Sequence, residues 1–551
     1  MRIFVQGPTR RPEPVPELDA WLLVENTWND FGYRTLYDVY QMSKKKRLIE
    51  IGGIKILKMG QSKAELPLQR GELRSGRLPD DCGSLGSDLD YYAGLSKLGI
   101  VEAHEILRRF NDLAADSNRR IRFEDQDGFG TSLHRDRSDV NTYYDDAMSV
   151  IESGGLPPEP RGWEFSFAPS LDAPPIRFRF GRPDGKEMPR FGAQPPRRMV
   201  VLVGANGVGK THLLASLARL AYAPPGERDE LANEGRFVGS PAFPGILAVA
   251  YSAFDTFLPP KLRGDDLEEV AQQLETGTGR YVYCGMRDVA AMIRSPNAAQ
   301  RLLDQRALER LFVDRVERIQ TNGRMGLFAA AMEPVLKEAS MEHRLPPKEA
   351  EDDRNLTNAN FAEEDQDDLN GYSDSTKEEV ERVKRFLGDN PAAAFHPLSS
   401  GHKIVLLILA NMAASLHRRG LALIDEPETH LHPPLLAALM TGIRRLLDRL
   451  QAYAIVATHS PVVAQETLSS QVIIVEGHGI TRQPEAQTFG ENVGALTREI
   501  FGLHTGATDY RNVLDKMLRQ HREVSALENA IGEPLSSQAL AYVMSALRKK
   551  S

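Results

Sequence analysis

The sequence predicts an α/β fold whose parallel sheet carries a phosphate-binding loop, with an amino-terminal mixed α/β block before it and a carboxyl-terminal helical tail after it. Three observations carry that expectation. MVVLVGANGVGKTHLLASLARLAY (199–222) reads as an apolar strand, a glycine loop and an apolar helix in direct succession. The runs GILAVAYSAFD (245–255), LALID (421–425), AIVATHS (454–460) and VIIVEG (472–477) are nearly continuously apolar, as strands covered on both faces are. Between them and after them the apolar spacing turns helical.

The elements follow in order. In residues 1–155, WLLVEN, RTLYDVYQ and RLIEIGGIKIL alternate apolar and polar letters and read as strands, while IVEAHEILRRFNDLAAD (100–116) has helical spacing. The tyrosine pair in SLGSDLDYYAGLSKLG reads as core packing, and no catalytic constellation stands out in this block. GGLPPEPRGW (154–163) marks a boundary, because proline neither donates to a ladder nor continues a helix. A second domain is expected over 156–490, and it includes the strand IRFRF and a helical and acidic insertion at 288–394. Within that insertion RLLDQRALERLFVDRVERIQ is amphipathic, and EAEDDRNLTNANFAEEDQDDLNGYSDS reads as a surface loop. Residues 491–551 are helical by spacing (ALTREIFG, VLDKMLRQ, ALAYVMSALRKK).

Bulk properties exclude several classes. The 551 residues exceed one compact core, and 41% hydrophobic with 26% charged residues is ordinary for a globular protein. A net charge of −8 gives no overall basic footprint for nucleic acid; the basic runs KKKR (44–47), RRIR (119–122) and LRKK (547–550) read as solvated faces. Cys82 and Cys284 stand alone, so neither a disulfide framework nor a zinc module is encoded. The amino terminus lacks the apolar segment of a signal peptide, and the run IVLLILANMAA from Ile404 is too short to span a bilayer. A cytoplasmic protein without a membrane partner is expected.

GANGVGKT fits the phosphate-loop pattern GxxxxGK[ST] at every fixed position. Gly204, Gly207 and Gly209 let the backbone N–H groups of the loop, those of Asn206 and Val208 included, converge on phosphate oxygens. The following helix adds its positive end. Lys210 supplies a point charge to the phosphates, and Thr211 offers a hydroxyl to Mg²⁺. LALIDEPE is the complement: Asp425, at the carboxyl end of a buried strand, would hold the metal through water, and Glu426 would act as general base for an attacking water. ATP and Mg²⁺ are therefore the expected ligands. In LIDEPETHLHP two histidines follow these acids. Their i, i+2 spacing lacks the i, i+4 geometry of a helical metal pair, so a metal cage is the lesser reading.

HPLSSGHKIVLLILANM, just ahead of LALIDE, resembles the ABC-type ATPases, the class that includes transporter heads and the SMC and OLD-like proteins. Their LSGGQ signature corresponds here to Leu398-Ser399-Ser400-Gly401-His402. The resemblance implies that Ser399, Ser400 and Gly401 contact the γ-phosphate of ATP held by a second subunit. It also implies that His459, in ATHS, is the switch histidine. His430 and His432 fall in the D-loop, which lies at the dimer interface. One departure is plain: transporter heads place a glutamine after the second strand, whereas AYSAFDTF offers only Ser252 or Asp255 in that region.

AYSAFDTF, RYVYCGMRD, DEPETHLHP and TFGENV together resemble the soluble ATPase subunits of Septu-type and retron-associated antiphage systems. That resemblance implies a homodimer closed around two ATP molecules, or a higher oligomer, acting on a separate effector that is a nuclease. The insertion at 288–394 would then be a shortened counterpart of the SMC arm, a surface for a partner or for nucleic acid. The alternatives are an OLD-like ATPase-nuclease, for which Glu476-Gly477 resembles the opening of a TOPRIM module, and a DNA-repair ATPase.

Overall fold

The computed structural model describes residues 1–548 apart from 155–162, 182–196, 262–266, 296–300, 342–374 and 502–508 and the shorter stretches 10–11, 16–18, 27–29, 31, 44–47, 74, 136, 138–139, 224, 240, 242, 253–254, 278, 339–340, 478 and 522. The KKKR run, nearly all of the acidic stretch and proline passage, and the final lysines of LRKK lie outside the described residues. Packing divides the chain into two compact units, Met1–Phe489 and Gly490–Ser551.

The first unit opens with a six-stranded sheet of β1 (Ile3–Gln6), β2 (Trp21–Glu25), β3 (Leu36–Met42), β4 (Leu48–Lys58), β5 (Gly71–Leu73) and β6 (Cys82–Gly86), in the order β5-β1-β2-β3-β4-β6. Only the β1–β2 pairing is parallel. Helices α1 (Leu89–Ser96), α2 (Ile100–Arg109), α3 (Ser117–Phe123) and α4 (Val140–Glu152) follow. α1 lies directly on β4 because Gly94 has no Cβ; one built there would stand 2.2 Å from the Ile51 carbonyl oxygen. Tyr91 and Tyr92 are fully buried, and the Tyr92 hydroxyl donates to Asp112 at 3.0 Å.

A small antiparallel sheet follows, built from β7 (Trp163–Ala168), β8 (Ile176–Phe180) and a later strand from Arg236 to Val238. Its rings, Trp163, Phe165 and Phe180, pack against Phe243 and Tyr453. The main sheet begins with β9 (Met199–Val203), which leads into α5 (Lys210–Tyr222); the strand from Arg236 to Val238 is β10. Next come β11 (Ile246–Ala250), α6 (Leu267–Thr276), β12 (Tyr281–Gly285), α7 (Val289–Arg294), α8 (Gln305–Thr321), α9 (Met325–Leu336), α10 (Ser375–Leu387), α11 (Pro391–Phe395) and α12 (Ser400–Ser415). β13 (Leu421–Asp425), α13 (Pro433–Leu450), β14 (Tyr453–Thr458), α14 (Pro461–Gln465), β15 (Val472–Gly477) and β16 (Ile480–Arg482) complete it.

The seven-stranded order is β12-β11-β13-β14-β9-β15-β16, parallel throughout except for the final β15–β16 hairpin. The carboxyl ends of β9, β13 and β14 therefore open on the same edge, where ligands of parallel α/β sheets bind. The edge strand β12 is not anticipated by the sequence, where RYVYCGMRD carries no helical or alternating signature. All five of its residues are buried.

α12 is apolar on every side, so it can only be an interior helix. α8 covers it, with the buried Arg315 donating to Asn411 Oδ1 at 2.9 Å. α9 lies against α13, where Arg445 Nη1 donates to the Ala330 carbonyl at 3.0 Å. The described helices of the 288–394 region are thus part of the packed body. The apolar faces of α8 and α9 find cover on α12 and α13.

The loop from α12 to β13 meets the amino-terminal block. Arg418 and Arg324 both pair with Asp90, Arg419 pairs with Asp146, and His417 Nδ1 lies 3.5 Å from Asp88. Nearby, burial pushes the carboxyl of Asp38 up to about 6 and that of Glu50 up to about 7.

The second unit is a helical cluster, α15 (Val493–Phe501), α16 (Asp509–Gln520), α17 (Val524–Ile531) and α18 (Ser537–Arg548). Leu514, Leu518, Leu527 and Val543 form its core. No helix among the described residues is long and apolar enough to cross a membrane.

Candidate nucleotide site

The phosphate loop leaves β9 at Gly204 and enters α5 at Lys210. A Cβ at Gly204 would stand 2.4 Å from the Val475 carbonyl oxygen, so the loop can pass β15 only with glycine there. Gly209 caps α5 in the left-handed conformation, φ +94°, which turns successive N–H groups toward one side. Asn206, Gly207 and Gly209 are exposed and Val208 is half-buried. The loop thus presents its backbone to solvent above the first turn of a 13-residue helix.

Lys210 is only 5% exposed, and its Nζ donates to the carbonyls of Gly204 at 2.9 Å and Ala205 at 3.0 Å. Burial holds its amine below the usual lysine range, against the opposing pull of Glu426, Asp425 and Glu428. Thr211 Oγ1 donates to Asp425 Oδ1 at 3.1 Å, joining the start of α5 to the end of β13.

Asp425 is 4% exposed, and its carboxyl is pushed up to about 7. Burial is the main cause, with Glu426, Asp255 and Glu428 adding their negative charge and the Thr211 hydrogen bond opposing. A hydroxyl and a buried carboxylate are hard oxygen donors, and the surrounding acids leave negative charge for a cation to neutralise. This pair therefore fits Mg²⁺, which takes one or two protein oxygens and completes its shell with phosphates and water.

Glu426 turns the chain out of β13 with φ +45°, a strained setting for a residue with a Cβ. Its N–H donates to the Ala457 carbonyl at 2.8 Å, which fixes it beside β14. The side chain is 33% exposed, and Oε1 lies 3.6 Å from His459 Nδ1. His459 follows β14 directly and its ring is 43% exposed. Lys210, Thr211, Asp425, Glu426 and His459 thus gather on one edge of the sheet.

The signature residues form a second group. Ser399 caps α12, its Oγ accepting from the His402 N–H at 3.4 Å and lying 2.6 Å from His402 Nδ1. Ser400 is exposed. Gly401 faces the D-loop of the same chain: a Cβ there would stand 2.9 Å from the His430 carbonyl oxygen. Among the described residues, no hydrogen bond or ion pair joins Ser399, Ser400 or Gly401 to the phosphate loop.

His430 has φ +68° in the turn after Glu428. His432 caps α13, its Nδ1 accepting from the Leu435 N–H at 3.4 Å, with Pro433 and Pro434 opening the helix behind it. Asp255 is committed elsewhere: Tyr283 donates to one oxygen at 2.8 Å and the Phe257 N–H to the other at 3.1 Å. Its charge nonetheless acts on Asp425, so it lies in the neighbourhood of the candidate metal pair.

Sequence reasoning missed Glu428. Its Oε1 accepts from Thr458 Oγ1 at 2.7 Å and from the His459 N–H at 2.8 Å, tying the turn after β13 to the end of β14. The only signal was the third acid of DEPE.

Comparison with known proteins extends this picture. The profile of AAA_21, described as an AAA domain and associated with the AbiEii toxin and Type IV TA systems, matches residues 287–464. That span holds the signature, the three acids of DEPE and His459, while the phosphate loop stands before it. Protein ea59 of Escherichia phage lambda is 28% identical over 518 residues, covering 91% of this chain and 90% of that protein. The Septu protein PtuA of Bacillus mycoides (strain KBAB4) is 22% identical over 166 residues, covering 26% of this chain and 23% of that one. An inward-facing metal-chelate type ABC transporter matches at 12% identity over 62% of this chain and 90% of its own, with a TM-score of 0.25 that carries no argument about fold. This chain carries an ABC-type ATPase domain of the AAA_21 family, preceded by a mixed-sheet block and distantly similar to the Septu protein PtuA.

Proposed function

We propose that this chain is a Mg²⁺-dependent ATPase that closes as a homodimer around two ATP molecules and so switches a separate effector. The observation that carries the reading is the bond between Thr211 and Asp425 beneath the phosphate loop, with Glu426 and His459 beside it. Mg²⁺, held by Thr211 and Asp425, would neutralise phosphate charge. Lys210 exchanges its carbonyl partners for phosphate oxygens, a trade of neutral for charge-assisted hydrogen bonds. Glu426 takes the proton of the attacking water, and His459 contacts the γ-phosphate. Ser399, Ser400 and Gly401 face the ATP of the partner subunit, and the D-loop with His430 and His432 lies at that interface. Two ligands each shared by both subunits give ATP its differential affinity for the closed state.

Similarity to a Septu protein supports a role in antiphage defence. A separate nuclease as the effector and a cytoplasmic setting are part of the proposal. A direct nuclease of OLD type is the competing reading, and it depends on Glu476. That side chain is paired with Arg482 at 2.7 Å on the β15–β16 hairpin.

Glu426→Gln tests the proposal. The variant keeps ATP binding, stalls hydrolysis by a hundredfold or more in order of magnitude, and shifts sedimentation toward the dimer when ATP is present. Unchanged turnover would remove Glu426 as the base. The wild-type protein alone should leave plasmid DNA intact; Mg²⁺-dependent cleavage by this chain would favour the nuclease reading.

A further inference from the structure

We propose that Glu428 is a positioning residue for hydrolysis, holding the ring of His459 so that Nε2 is the nitrogen turned to the nucleotide. The proposal rests on the ATPase reading above and adds to it a residue the phosphate-site motifs do not include.

Three groups converge on one oxygen. Glu428 Oε1 accepts from Thr458 Oγ1 at 2.7 Å and from the His459 N–H at 2.8 Å, and His459 Nδ1 lies 3.0 Å away. Thr458 is fully buried and its Oγ1 in turn accepts from the Ser460 N–H at 2.9 Å, so the bracket grips residues 458–460 from both sides. Backbone and ring of His459 are thus tied to the same carboxylate.

Two carboxylates face His459 Nδ1, and they differ in kind. Glu428 is nearer, at 3.0 Å against 3.6 Å for Glu426, and less exposed, at 10% against 33%. Glu428 Oε2 is buried with no hydrogen-bond partner among the described residues. A buried carboxylate with one oxygen unsatisfied is costly, and such groups concentrate where function retains them. The Glu428 carboxylate is anchored by hydrogen bonds, whereas Glu426 is held through its backbone and its carboxylate accepts none among the described residues. The division of labour follows: Glu428 accepts from Nδ1–H, which leaves Glu426 free for water and turns Nε2 to the nucleotide, where it donates to phosphate once the ring takes a second proton.

The test is a double-mutant cycle with Glu428→Gln, which keeps the shape and removes the charge, in wild-type and His459→Ala backgrounds. In the wild-type background Glu428→Gln lowers kcat on the order of ten- to a hundredfold, with KM for ATP nearly unchanged. In the His459→Ala background the same substitution changes single-turnover hydrolysis by less than about twofold, because Glu428 acts through the histidine. Equal losses in both backgrounds, or none in either, overturn the proposal. A readout independent of turnover is the ¹⁵N spectrum of labelled histidine in the nucleotide-free protein. His459 carries its proton on Nδ1 in the wild type and moves toward the Nε2–H tautomer in Glu428→Ala. An unchanged spectrum in a folded variant also overturns it. Absence of ATP hydrolysis by the wild type would instead fail the ATPase reading and leave the spectrum to judge Glu428.

Discussion

Asp425→Asn should make the nucleotide-free protein more stable at pH 8 while abolishing hydrolysis. The carboxyl of Asp425 is buried among Glu426, Asp255 and Glu428, and moves from 3.8 in a free chain to about 7. Ionising it in the fold is therefore harder than in the unfolded chain by about 4 kcal/mol. The sign follows from proton counting. Between pH 4 and 7, roughly, the folded state holds the proton more tightly, so stability is lost as pH rises through that window and the full penalty stands at pH 8. Asparagine carries no charge and its amide oxygen still accepts from Thr211, so the variant escapes the penalty. Thermal unfolding without nucleotide, followed by tryptophan fluorescence at pH 5 and pH 8, measures the gap between variant and wild type. The gap should widen with pH. Adding Mg²⁺ with ATP at pH 8 should close it from the wild-type side, since a cation reverses the local charge balance. A gap that is the same at both pH values, or a variant less stable at pH 8, would refute the electrostatic reasoning.

Two further perturbations separate other parts of the machine. Gly401→Ala places a Cβ 2.9 Å from the His430 carbonyl oxygen, which forces the signature helix and the D-loop apart. ATP binding to the monomer should be retained while ATP-dependent dimerisation, read by sedimentation, weakens by roughly tenfold or more. Arg419→Ala leaves Asp146 half-buried without its partner. It should cost about 1–2 kcal/mol and speed amide exchange around residues 416–421, read by mass spectrometry.

Much of the nucleotide site is legible because its letters are dictated locally. GANGVGKT works through its own backbone, and LALID ends a strand whose continuous apolar run admits only a buried place in the sheet. Their meeting at Thr211 and Asp425 then follows from parallel topology, since strands that run the same way bring their carboxyl ends to the same edge. β12 escapes notice because YVYCG is short and aromatic, and its burial depends on what flanks it. Glu428 escapes because nothing in DEPE separates an acid that works on water from one that holds a neighbour. The helices of 288–394 show amphipathic spacing, yet spacing does not say which body covers the apolar face; α12 and α13 do. HRR at 417–419 reads as the polar end of an apolar run. Its partners, Asp88, Asp90 and Asp146, lie in a block far away in sequence, so that seam is visible only in three dimensions.

That seam has a thermodynamic consequence. The loop it grips joins α12, whose first turn is the signature, to β13, whose last residue is Asp425. The signature helix and the strand that ends in Asp425 therefore hang from one short connection clasped by the amino-terminal block. Linkage makes such an arrangement two-way: whatever factor ATP applies to the affinity of a molecule bound by that block, the molecule applies to the affinity of ATP. A titration of nucleotide in the presence of a candidate ligand thus reports on the block without any knowledge of what the block recognises.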